Sequence, residues 1–434
     1  MKHQRIIQSA AVVGVATLMS RLLGVIRQML MAAEFGTSLS HSAFVVAFRI
    51  PNLLRRLFGE GAFSAALIPV YSEAIKKEGR EKADEMAGRI IAIIALLLAI
   101  IIFLGIVFLR FANAQLNIGV KANAVFYLTS IMLPYGFYIC VTAIFMGVLN
   151  TFHHFTIPAI TPIILNIVWM AAIIASALFA DTGAMSKIEL ISWSIVIAGC
   201  LQLLLQIPVL KKYGFNPVIK KIFVFDEKIK MIFKLMFPVA LSMGAYQVNV
   251  MMDGVIALWA APWAPAALAC AETIVYLPLG LFGTSFGTVL LPAFSHHAAE
   301  FDIEGIQSTL QKALNTILIL TVPSSLALIV LSSQIIQLLY QWPGKAFDTT
   351  STVWSARAMC FYAPGILFFA ANKAIVPLFY AFKKPWIHVR VSVLFVIINF
   401  VLNIIFVITW PAGYKHAGLA FSTTLCALCE TIVF

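Results

Sequence analysis

The feature that most constrains this chain is the recurrence of long apolar runs. The stretch "IIAIIALLLAIIIFLGIVFL" (90–109) carries no charge, and as a helix it is long enough to cross a hydrocarbon core of about 30 Å. Twelve segments of this kind are expected, near 6–33, 41–75, 86–110, 122–149, 157–180, 188–210, 229–260, 264–297, 309–340, 351–381, 386–410 and 414–434. A transmembrane barrel would instead show alternating segments of roughly ten residues. The expected fold is therefore all-α and polytopic, with twelve transmembrane helices in two pseudo-symmetric six-helix lobes around a central cavity. Composition agrees: 62% of residues are hydrophobic and 11% charged, where soluble domains carry about a quarter. The opening "MKHQRIIQSAAVVGVATLMS" reads as a first membrane helix rather than a cleaved leader, because the helical pattern continues through Arg21 and Arg27.

A net charge of +12 invites a nucleic-acid reading, but the basic residues fall into alternate loops. Lys76, Lys77, Arg80, Lys82 and Arg89 follow the second segment, and Lys211, Lys212, Lys220, Lys221, Lys228 and Lys230 lie between the sixth and seventh. Lys383, Lys384 and Arg390 lie between the tenth and eleventh. All these loops share one side, so the positive-inside rule places both termini in the cytoplasm. The six cysteines are scattered through apolar segments, and Cys426 and Cys429 lack a second ligand pair, so small core residues are the better reading than a zinc or redox site.

Transporters are often built from paired bundles, and a repeat is present. "AFSAALIPVYS" (62–72) aligns with "SFGTVLLPAFS" (285–295), and "NTFHHFTIP" (150–158) more weakly with "YAFKKPWIH" (380–388). The basic linker 211–228 then divides the chain into an N-lobe (1–210) and a C-lobe (229–434) of equal orientation.

The second segment contains "FRIPNLLRRLFGEGAF" (48–63). Arginine at the centre of a bilayer is unfavourable by several kcal/mol, so charge at that depth normally faces a wet cavity. Arg21, Arg27 and Arg55 read as ligand groups, while Arg49 and Arg56 read equally well as partners of Glu34 and Glu60. Pro51 frees a carbonyl, Gly59 and Gly61 flank Glu60, and Gly24 lies between Arg21 and Arg27. Such breaks let arginines of two helices converge where protein or water covers the backbone. A cluster of guanidinium forks suits an anion with several oxygens, above all a diphosphate on a lipid.

At these residues the chain resembles the MurJ (MviN) family of lipid II flippases, of the multidrug/oligosaccharidyl-lipid/polysaccharide exporter superfamily. The likeness rests on "SRLLGVIRQ" (20–28), "AFVVAFRIPNLLRRLFGEGAFSAALIPVYSE" (43–73), "LNTFHHFTIPAITPIILNI" (149–167), "GTVLLPAFS" (287–295) and "KHAGLAFS" (415–422). The resemblance implies a monomeric flippase without covalent chemistry, which moves undecaprenyl-diphosphate-muropeptide (lipid II) to the outer leaflet by alternating access. It also implies substrate-binding roles for Ser20, Arg21, Arg27, Asn52, Arg55 and Glu60, joined by Arg49, Glu272 and Lys373. The chain departs from the family pattern at Ser42, where an aspartate is common, and at Glu272-Thr273, where Asp-Arg is common. Two further helices that usually line a lipid-tail groove have no counterpart in these 434 residues.

Asp253, Asn399, Asn403 and Thr423 or Thr424 form an all-oxygen set suited to a hard cation, and some family members use sodium there. The alternative is that these asparagines bond neighbouring helices. No other cofactor is expected, and no nucleophile-base pair, phosphate loop or metal signature points to an enzyme. The rival readings are a cation-coupled drug or glycolipid exporter, and a membrane scaffold that no longer transports.

Overall fold

A computed structural model describes residues 2–59, 62–116, 119–178, 183–217, 227–382 and 384–434, which are almost entirely helical. In chain order the helices are α1 (Lys2–Phe35), α2 (Leu39–Leu54), a π-helical turn (Arg55–Gly59), α3 (Ala62–Glu78), α4 (Arg80–Gln115), α5 (Val120–Thr151), α6 (Thr156–Ala177) and α7 (Ala184–Lys212). The remainder are α8 (Glu227–Ala260), α9 (Ala264–Ala299), α10 (Ile303–Val330), α11 (Ser332–Tyr340), α12 (Thr349–Tyr362), α13 (Gly365–Ala381), α14 (Pro385–Thr409) and α15 (Lys415–Val433).

Every expected segment meets helix, and the second, ninth and tenth of them are interrupted within their length. Among the described residues eight helices are long and apolar enough to cross a membrane, or nine if α12 and α13, bent by 42°, count as one. Pro51 lies inside α2 and has no N–H to donate there. The chain then widens into the π-helical turn that carries Arg55 and Arg56. Glu60 and Gly61 lie outside the described residues. The bend between α12 and α13 comes at Pro364, and side chains take up carbonyls around it: Ser325 Oγ donates to Ala363 O at 2.8 Å and Thr424 Oγ1 to Phe361 O at 2.7 Å. Helix starts follow local chemistry, as at Asp302 and Asp348, whose carboxylates accept from Gly305 N (2.8 Å) and Ser351 N (2.7 Å).

Contacts divide the chain into two compact units. The first comprises Met1–Leu30 and Val46–Gln247, the second Met31–Val45 and Val248–Phe434. This division differs from one at a linker over 211–228, of which 218–226 lie outside the described residues. The end of α1 and the start of α2 bond within the second unit: Thr37 Oγ1 lies 2.8 Å from Ser351 Oγ, and Ala266 N donates to Ser42 Oγ at 3.3 Å. Ala346 N donates to Ala33 O at 2.9 Å. Gly36, with φ +54°, closes α1 against that stretch of backbone, and any Cβ there would strike the Ala346 carbonyl.

In the first unit α5 is the central helix, flanked by α4, α6 and α7 and by the π-helical turn. Two glycines set its close approaches. A Cβ on Gly136 would stand 2.5 Å from Leu54 Cδ1, and one on Gly199 would stand 2.8 Å from Tyr135 Cδ2. These contacts bring the end of α2 and the middle of α7 onto one stretch of α5.

At the foot of this unit Asp84, 3% exposed, ties three segments together. It accepts from Tyr71 Oη at 2.5 Å, from Arg80 Nε at 3.0 Å and from Asn216 N at 3.1 Å. Arg80 in turn covers the Phe152 ring at 4.1 Å and donates to Tyr213 O at 3.1 Å. Nearby, Tyr213 Oη lies 3.3 Å from His154 Nδ1, and burial followed by the Lys212 charge lowers the affinity of that imidazole for a proton.

Candidate functional site

The first unit encloses a cavity of about 420 Å³ lined from five helical segments: α1, α2 with the π-helical turn, α5, α6 and α7. Ser20, Gly24 and Arg27 come from α1, Asn52 from α2, and Arg55 and Arg56 from the π-helical turn. Three guanidinium groups therefore share one wall, and no carboxylate stands among the described lining residues.

Arg27 is the most constrained of the three. Its Nη1 donates to Asn166 Oδ1 at 2.8 Å, and its guanidinium plane covers the Trp169 ring at 4.0 Å. Phe48 meets the same indole edge-on at 5.1 Å. A cation over an indole face is held by the ring quadrupole, and more strongly once water is removed. Asn166 is itself fixed, because its Nδ2 donates to Ser20 O at 3.0 Å. The Nε atoms of Arg27 and Arg56 are buried and make no hydrogen bond, so each is a cationic donor with capacity for an anionic oxygen. Arg55 Nε donates to Asn52 Oδ1 at 2.8 Å, across one turn. Asn166 and Asn52 thus act as neutral anchors: they orient the arginines without adding negative charge to the cavity.

The structure brings Ser20, Arg27, Asn52 and Arg55 together, as the sequence suggested, and adds Arg56. Arg21 and Arg49 each follow a lining residue by one position, a rotation of about 100° on a helix, and lie half-buried outside the lining. Glu60 is outside the described residues. Glu272 belongs to the second unit, where its Oε1 accepts from Tyr362 Oη at 3.0 Å, and Lys373 lies there on α13. Sequence reasoning missed Asn166, Trp169, Tyr135 and Gln202. An amide or aromatic in an apolar helix carries no mark of its direction, although Asn166 does lie inside the quoted 149–167 motif.

The second unit holds a separate oxygen-rich cluster where α8, α14 and α15 meet. Asn403 Nδ2 donates to Asp253 Oδ1 at 2.6 Å and to Asn399 Oδ1 at 3.0 Å, and Ser422 Oγ donates to Asn403 Oδ1. The amide end of Asn399 facing Asp253 Oδ1 and Asn249 Oδ1 lies 3.2 and 3.1 Å from them. With nitrogen there it donates to both. Asn249, four residues before Asp253, extends the expected set, whereas the Thr423 hydroxyl donates to Leu419 O at 2.9 Å within its own helix. Among the described residues no group of three or more His, Cys, Asp or Glu side chains could hold a metal.

Comparison with known proteins places this geometry in context. A family model described as "Lipid II flippase MurJ" matches residues 31–434. The chain is 31% identical over 417 residues to the lipid II flippase MurJ of Burkholderia cenocepacia, covering 94% of this chain and 78% of that protein. Among solved structures, "Lipid II flippase MurJ, inward closed conformation" superposes with a TM-score of 0.80 at 26% identity, covering 97% of this chain and 86% of that one. An inward-facing multidrug resistance MATE family transporter of the MOP superfamily gives a TM-score of 0.78 at 11% identity, over 95% and 93% of the two chains, a likeness of fold alone.

Proposed function

Because this chain belongs to the MurJ family of lipid II flippases, we propose that it moves an undecaprenyl-diphosphate-linked muropeptide from the inner to the outer leaflet of the bacterial cytoplasmic membrane. Movement is by alternating access, both termini are cytoplasmic, and no covalent bond is made or broken. Arg27 and Arg55, with Arg56 beside them, hold the diphosphate.

One observation carries this reading: three guanidinium groups in one cavity, two of them, Arg27 and Arg55, hydrogen-bonded to neutral amides, with no carboxylate in the described lining. A drug exporter that takes cations needs the opposite polarity. Each charge-assisted hydrogen bond to phosphate is worth about 1.5–3 kcal/mol, so two arginines supply a large share of micromolar affinity, about 8 kcal/mol. The test is Arg27→Ala and Arg55→Ala in cells whose growth depends on this protein. Loss of growth at normal abundance is expected for each; undiminished growth would refute the assignment.

A second reading concerns the Asp253 cluster, which we propose binds a sodium ion. The convergence of the Asp253, Asn249, Asn399 and Asn403 side chains supports it, since hard cations take carboxylate and amide oxygens. Bound there, sodium would supply charge that holds α8, α14 and α15 together.

A further inference from the structure

α7 presents one polar side chain to the cavity of the first unit, Gln202, only 1% exposed. Its Nε2 donates to Thr161 O at 2.8 Å. Its Oε1 is buried and accepts no hydrogen bond. The amide cannot be turned over, because that would set Oε1 against the Thr161 carbonyl oxygen. Gln206, one turn further on, repeats the arrangement: Nε2 donates to Thr161 Oγ1 at 2.8 Å and Oε1 is buried without a partner. Thr161 therefore fixes the polarity of both amides, but only Gln202 lines the cavity.

The neighbouring amide oxygens are already engaged, that of Asn52 by Arg55 and that of Asn166 by Arg27. Gln202 Oε1 is thus a spare buried acceptor in a lining dominated by cationic donors. A diphosphate cannot satisfy it, because an ionised phosphate offers acceptors only. It needs an O–H or N–H, and on a sugar-linked lipid diphosphate the donors nearest the phosphates are the hydroxyl and acylamino groups of the attached sugar.

We infer that Gln202 is a sugar-recognition group, whose carbonyl accepts a hydrogen bond from a hydroxyl or amide N–H of the sugar joined to the arginine-bound diphosphate. The inference rests on the flippase reading above. It also makes the cavity selective: the arginines hold any polyprenyl diphosphate, and Gln202 distinguishes the glycosylated form. A site built around a buried hydrogen-bonding group loses affinity when the ligand lacks its counterpart, here by about tenfold.

The test compares binding of lipid II and of undecaprenyl diphosphate, which lacks the sugar, to the full chain in nanodiscs. Wild type should bind lipid II about tenfold more tightly. Gln202→Met, of similar volume, should abolish that preference by weakening lipid II alone, while Gln206→Met retains it. Equal wild-type affinities, a Gln202→Met variant that keeps the preference, or equal weakening of both ligands would overturn the assignment. If Gln202→Met does not fold, Gln202→Asn, which keeps the amide but withdraws its oxygen by one methylene, replaces it: loss of the preference supports the assignment and an unchanged preference overturns it. Failure of wild type to bind either lipid would instead refute the flippase reading itself.

Discussion

Replacing Asn166 with aspartate puts the charge argument to a direct test. In the native cavity Asn166 Oδ1 accepts from Arg27 Nη1 at 2.8 Å and its Nδ2 donates to Ser20 O at 3.0 Å. The introduced carboxylate would keep the first contact, convert it to an ion pair and lose the second. The substitution hardly changes shape, so Arg27 stays on Trp169. A diphosphate bound at the open edge of Arg27 would lie about 6 Å from the new carboxylate. At an effective dielectric of about 20, the nearer phosphate charge, at about 6 Å, is repelled by about 3 kcal/mol. Lipid II affinity should therefore fall about a hundredfold, measured by titration in nanodiscs, while Asn166→Ser, which stays neutral, should lose roughly tenfold through misorientation of Arg27 alone. An Asn166→Asp protein that is folded and binds lipid II as tightly as wild type would refute the claim that guanidinium charge in this cavity holds the ligand.

Two further outcomes follow from contacts elsewhere in the chain. Asp84→Ala leaves Arg80, Tyr71 and the Asn216 amide without their shared acceptor and should destabilise the first unit by about 3 kcal/mol, read as a lowered midpoint in thermal or denaturant unfolding; an unchanged midpoint would show that the network contributes nothing. Sodium at a hundred times its dissociation constant should stabilise wild type by about 2.7 kcal/mol where potassium does not, and Asp253→Asn should abolish the difference; equal stabilisation by both ions, or a response that survives the substitution, would dismiss the cation site.

The all-α membrane class, the places of the helices and the gathering of Arg27 and Arg55 in one cavity were legible in the sequence, because the bilayer punishes deviation so severely. A run such as 90–109 has no alternative to a spanning helix, and an arginine at the depth of Arg27 or Arg55 must find a polar environment. Those constraints are local. The chain alone is enough to impose them.

Direction and partnership were decided by tertiary packing. Ser20 and Arg21 are adjacent in sequence, yet only Ser20 lines the cavity. Asn166 and Gln202 look like ordinary polar residues in apolar helices until α6 and α7 pack beside α1, α2 and α5 and place both in the lining that holds the arginines. Asp84 sits among charged residues in sequence, and Tyr71, Arg80 and the returning Asn216 amide together enclose it. The physical reason is one of range. Hydrophobicity and charge act on each residue through the solvent around it, whereas a hydrogen-bond partner 139 or 146 positions away, as for Asn166 with Arg27 and Ser20, exists only once the helices have packed.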